Sequence, residues 1–145
     1  MVYMKITVIF ILLFLSLTSC SKKEEIKLDA FSPEAFAYDI GDGWEVNATV
    51  RIKGFKEVKE ENSDFYKVSV SYTTDLITPA DSTIKNVFED TVHKSDPEKI
   101  VDFALEAQFN IDSTFKPGNY KIMYHINDNN SGDSLLALVR FKLEE

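Results

Sequence analysis

Cysteine is almost missing from this chain: Cys20 stands alone among 145 residues. Beyond it no disulfide, thiol nucleophile or thiolate metal site can be built. A domain without a disulfide must be held by its core, and roughly 100 or more residues suffice for that. Basic residues are also scarce, with 16 Lys and Arg against 24 Asp and Glu and a net charge of −8. An acidic chain with no basic stripe repels the phosphates of nucleic acids and the anionic heads of lipids. No apolar run reaches the roughly 20 residues of a membrane-spanning helix. Phosphate-cradling glycine loops, Gly-x-Ser-x-Gly elbows and His-x-x-x-His pairs are absent, and the two histidines, His93 and His125, fall on different segments. The expectation is a chain with one folded domain, no cofactor, no metal and no enzymatic activity.

What is present begins with an apolar run over residues 6–17, interrupted only by Thr7 and Ser16 and preceded by Lys5. Its length and its positive flank are those of the hydrophobic region of an export signal. The run ends in Leu17-Thr18-Ser19-Cys20. This tetrapeptide resembles the lipobox of bacterial lipoproteins. The resemblance implies cleavage between Ser19 and Cys20, with Cys20 carrying the lipid. The domains expected are a signal peptide over 1–19, a lipidated Cys and polar tether over 20–27, and a folded domain over 28–145. Loss of Lys5 with the signal takes the net charge from −8 to −9, so the lipid must provide the membrane attachment. Lys23-Glu24-Glu25 resembles the signal that follows the acylated Cys in surface-exported lipoproteins of the Bacteroidetes. A Ser and two Lys after Cys20 do not resemble the Asp-led inner-membrane retention signal. The expected location is the outer membrane, with surface exposure left open.

From Gly43 onward the apolar residues recur with period two. Trp44, Val46, Ala48, Val50 and Ile52 form one series, and Tyr66, Val68, Val70 and Tyr72 a second. Val101, Phe103, Leu105, Ala107, Phe109 and Ile111 form a third, followed by Tyr120, Ile122, Tyr124 and Ile126, and by Leu135, Ala137, Val139, Phe141 and Leu143. Alternation of this kind predicts antiparallel strands with one face on a shared core. Weaker strands are expected over 35–40 and through Ile84, Phe88 and Val92, and a single helical turn over 95–99. About seven strands predict an all-β, antiparallel immunoglobulin-like or fibronectin III-like sandwich. Phe115-Lys116-Pro117-Gly118-Asn119-Tyr120 resembles the tyrosine corner of such sandwiches, which implies that the Tyr120 hydroxyl bonds a backbone group upstream. The segment from there to the C-terminus is similar to the closing hairpin of small Ig-like modules in Bacteroidetes surface proteins.

If Asp128 faces Asp133 across a four-residue loop, Tyr120 meets Phe141, Ile122 meets Val139, Tyr124 meets Ala137 and Ile126 meets Leu135. Every inward residue then meets another. The same register puts Met123, His125, Leu136 and Leu138 together on the outer face. Apolar residues grouped on a wet surface mark a contact, so these four are the candidate patch for an envelope protein or a second copy. The alternative is that the segment over 30–36 folds across them.

Other motifs point less firmly to chemistry. Asp128-Asn129-Asn130-Ser131-Gly132-Asp133 alternates oxygen ligands, but its Gly is fifth where a calcium loop wants it sixth, and turns favour the same residues. Met123 and His125 are too few for a copper site. Asp81-Ser82-Thr83, Asp90-Thr91-Val92, Asp112-Ser113-Thr114 and Asp133-Ser134-Leu135 resemble the acceptor of Bacteroidetes O-glycosylation, which makes Ser82, Thr91, Ser113 and Ser134 candidate acceptors. Trp44, Tyr66, Tyr72, Tyr120 and Tyr124 occupy core positions. Only Phe31, Phe36, Tyr38, Phe55 and Phe65 remain for stacking on a sugar, and glycan binding is not favoured. The function expected is a lipid-anchored envelope lipoprotein with a binding or structural role. A carbohydrate-binding accessory module comes second, and a hydrolase whose site forms only in three dimensions third.

Overall fold

The computed structural model describes residues 26–59 and 61–144. The signal segment, Ser19 and Cys20, and the tether up to residue 25 lie outside them. Eight strands and no helix make up the described residues: β1 (Asp29–Asp39), β2 (Gly43–Lys53), β3 (Val58–Lys59), β4 (Tyr66–Ile77), β5 (Thr83–Asp96), β6 (Asp102–Asp112), β7 (Gly118–Asp128) and β8 (Ser134–Leu143). All pair antiparallel.

One sheet has the order β1-β2-β6. In the other, β4 is flanked by β5 on one side and by β7 and then β8 on the other, with the two-residue β3 on the start of β4. The edges of the two layers approach each other where β1 runs near β8 and β5 near β6. This is an Ig-like β-sandwich. Its core is the meeting of the inward series: Val46, Val50, Ile52 and Leu105 from the first sheet, and Val70, Leu76, Tyr120, Ile122, Tyr124, Ile126, Val139 and Leu143 from the second, all fully buried.

The closing hairpin has the register that its alternation implies, from Tyr120 opposite Phe141 to Ile126 opposite Leu135. Its loop closes through Asp128 N–H to Asp133 O at 2.9 Å and Gly132 N–H to Asp128 O at 2.8 Å. Gly132 has φ of +82°, a conformation that costs glycine little. The tyrosine corner is formed: the Tyr120 hydroxyl donates to Lys116 O at 2.8 Å. Gly118 is required beside it, because a Cβ there would lie 2.8 Å from the Pro79 ring.

Four local expectations are corrected. Residues 95–99 form no helical turn, because β5 continues to Asp96 and Pro97 then bends the chain. Val101 is exposed and β6 begins one residue later. Tyr66, at the start of β4, is only half-buried, outside the core cluster, and has Lys59 Nζ 5.3 Å from its ring centre. Phe55, which no alternation claimed, is a core residue whose ring packs at a tilt, 4.9 Å between centres, on Phe103. The free edge of β5 is guarded: Asp90 and Lys94 lie in the same register series as Val92 and Phe88, which pack on the core, and Lys94 Nζ sits 5.4 Å from the Phe103 ring. Inward charges of this kind discourage a further strand from adding to an edge.

Candidate functional site

The outer face of the larger sheet gathers the four patch residues. His125 lies opposite Leu136 and Met123 opposite Leu138. Leu136 is 62% exposed, while Met123, Leu138 and His125 are half-buried. The segment over 30–36 does not lie across them; it belongs to β1 and pairs with β2.

Beside this strip the fold adds an acid that the sequence did not single out. Asp75 stands opposite Met123, two pairs along from Thr73 and His125 and on the same face. Its side chain is only 4% exposed although it is on the outer face. It accepts from Lys85 Nζ at 2.6 Å and from Asn86 N–H at 3.0 Å, and His125 Nε2 lies 2.9 Å away. Asn86 reaches it because β5 breaks register between Thr74 and Leu76 and turns through a positive φ of 52° at Asn86. Burial alone pushes this carboxyl up. The hydrogen bonds from Lys85, Asn86 and His125, with the Lys85 charge, outweigh that and hold its pKa at about 2. The cluster is a clamp: an ionised carboxylate that ties β5 to β4 and fixes the His125 ring beside Leu136.

Asp128 shows why its loop is a turn. Its buried carboxylate takes Lys56 N–H at 2.6 Å, Asn130 N–H at 2.9 Å and Ser131 Oγ at 2.8 Å. An oxygen pair already facing hydrogen-bond donors is poorly placed for a cation. Among the described residues no group of three or more acidic or histidine side chains is arranged to hold a metal. Of the candidate acceptors, Ser82, Ser113 and Ser134 lie in loops or at a strand end and Thr91 lies mid-strand in β5; all four are exposed. They are spread over the surface rather than brought together.

Three of the rings that the alternation left free, Phe31, Phe36 and Tyr38, come together on β1. Ala35 and Ala37 pack on the core, whereas Phe31, Phe36 and Tyr38 fall on the outer face of the smaller sheet. The signal was the small–large alternation Ala35-Phe36-Ala37-Tyr38, in which the small residues face inward.

No protein-family model matches the chain, and no curated protein matches it significantly. Solved structures resemble it weakly. A family 123 glycoside hydrolase from Clostridium perfringens, studied for glycolipid glycan hydrolysis, aligns over 76% of this chain at 14% identity and a TM-score of 0.46. This chain spans only 22% of that protein. A protein from Archaeoglobus fulgidus aligns over 81% of this chain and 98% of its own, at 12% identity and a TM-score of 0.36. These likenesses carry no functional argument.

Proposed function

We propose that this protein is a lipid-anchored lipoprotein of the bacterial outer membrane whose folded domain docks a protein partner of the envelope. The strip on β7 and β8 carries the reading. Leu136 is 62% exposed on the edge strand of its sheet, with Leu138 on the same face and Met123 and His125 opposite them. A leucine left in water forgoes much of the roughly 1.5–3 kcal/mol that burial would give. The Asp75 clamp holds the neighbouring His125 in one place, so the strip is preorganised for a contact. The anchor is supported by Leu17-Thr18-Ser19-Cys20 at the end of a short apolar run.

Two experiments test the reading. Cys20→Ser is expected to move the chain out of the membrane fraction and to abolish labelling by a palmitate analogue; unchanged labelling removes the anchor. A photo-crosslinking residue at position 136 of the native lipoprotein is expected to give one discrete adduct in the envelope. The adduct is expected to vanish when Leu138→Ser is added. Absence of any adduct, or one indifferent to Leu138→Ser, overturns the docking role.

A further inference from the structure

We propose that the outer face of the smaller sheet is a second binding site, one that grips a single sugar ring of a neutral glycan. Phe36 and Tyr38 are 48% and 57% exposed. Their ring centres are 5.1 Å apart and their planes cross at 62°. Stability alone does not favour this arrangement, since the strand turns the small Ala35 and Ala37 toward the core and offers the large Phe36 and Tyr38 to water. The surroundings of the rings are polar and ordered by register. Phe36 lies beside Asn47, with Gln108 beyond it, and Tyr38 lies beside Glu45, with Asn110 beyond it. Asn47 Nδ2 donates to Glu45 Oε1 at 3.0 Å, which fixes both side chains. A groove of about 500 Å³ starts at Phe36, passes Asn47 and Gln108, and ends at the edge of the sandwich, where Asp90 and Glu106 outnumber the single cation Lys94.

The chemistry of these two rows fits a pyranose. The C–H face of a sugar is apolar and slightly positive, and it packs on the negative face of an aromatic ring. The hydroxyls around its rim need donors and acceptors together, and amides supply both. The strip beside the rings holds three amides and one carboxylate and no cation, so its charge matches a neutral ligand and rejects an anionic one. The cations of this sheet, Arg51 and Lys53, lie at its far end near Phe31 and are paired with Asp102 and Asp29. The crossing angle of 62° decides the mode. Two rings in edge-to-face contact leave no gap for a sugar between them and cannot both lie flat under successive sugars of a straight chain. One ring therefore gives a sugar its stacking face, and the other braces that ring and borders the same sugar with its edge. This site is independent of the docking strip, which lies on the other sheet.

The test titrates the full lipidated chain in detergent micelles with cellohexaose, xylohexaose, mannohexaose and N-acetylchitohexaose, read by backbone amide shifts. At least one sugar is expected to give saturable shifts confined to residues 34–38, 45–49 and 106–110. Phe36→Ala and Tyr38→Ala are each expected to weaken binding about ten-fold or more, and Tyr38→Phe to retain it because the ring remains. Leu136→Ser is expected to leave it unchanged, which separates this site from the docking strip. No saturable shift from any of the four sugars up to about 10 mM overturns the proposal. So do shifts elsewhere, or shifts indifferent to loss of both rings.

Discussion

On β1 the small residues Ala35 and Ala37 face the core and the rings of Phe36 and Tyr38 face water. On β7 the large residues Ile122, Tyr124 and Ile126 face the core, and the outer positions hold Met123 and His125. The two outer faces of the sandwich therefore differ in kind. The smaller sheet shows aromatic rings among neutral amides. The larger sheet shows an aliphatic strip beside a buried, ionised acid. The first arrangement suits a ligand with hydroxyls and C–H faces; the second suits another apolar surface. They also differ in what holds them: no buried charge is needed to expose Phe36, whereas the larger sheet depends on the partners of Asp75.

The largest expected effect comes from breaking that dependence. Asp75→Asn keeps the size of the side chain but removes the charge that Lys85, Asn86 and His125 face. The Asp75 pKa is depressed in the folded protein to about 2, below the ordinary 3.8. Its contribution is therefore fully present above roughly pH 4 and is lost as pH falls through about 2. That contribution is on the order of 2 kcal/mol. Chemical denaturation at neutral pH is expected to show Asp75→Asn less stable by about that amount, and the acid-induced loss between pH 4 and 2 should shrink in the variant. An unchanged acid profile would mean that the clamp adds nothing to the larger sheet, and the contrast between the faces would be one of composition alone.

How much of this was legible in the sequence follows from the same contrast. The β7–β8 hairpin could be paired residue by residue because the inward positions of both strands are unbroken apolar series and the loop between them is short. The tyrosine corner could be placed because Pro117 and Gly118 mark its turn. Asp75 could not be found, since two of its partners, Lys85 and Asn86, arrive through a register break in β5 that no alternation encodes. The rings of β1 were left free by the alternation, but the face they take was not fixed by it. In β1 the inward positions hold the small residues Ala30, Ala35 and Ala37, and an irregularity between Phe31 and Glu34 interrupts the period. Two-residue β3 is too short to leave a pattern.

The interior offers a finer version of the comparison. Tyr120 and Tyr124 share the inner face of β7, but only the Tyr120 hydroxyl has a partner. The Tyr124 hydroxyl and the Thr74 hydroxyl opposite it are buried without one among the described residues. Burial pushes the Tyr124 phenol far above its ordinary range, with Tyr72 and Glu106 adding to it. Tyr120→Phe is expected to cost about 1 kcal/mol, the net worth of one hydrogen bond. Tyr124→Phe is expected to be neutral or to stabilise by up to about 1 kcal/mol, because it removes a buried group that satisfies nothing. Equal losses in urea denaturation would show that the Tyr124 hydroxyl is bonded in solution, and the contrast within β7 would disappear.

The smallest expected effect is on the docking strip, and its smallness is the point. Leu136 is 62% exposed, so folding removes little of its surface from water. A fully buried leucine contributes roughly 1.5–3 kcal/mol. Leu136→Ser should cost less than about 1 kcal/mol, part of it the weaker fit of serine to a strand. Stability should not depend on protein concentration in either form if the strip is open in the monomer. A cost of 2 kcal/mol or more would instead mean that something covers Leu136 in solution. If that cost grows with protein concentration, the cover is a second copy, and the docking partner of this face is the protein itself. If it does not, the cover is the chain's own, and the two outer faces differ in openness as well as in chemistry: the rings of β1 alone would then face a ligand.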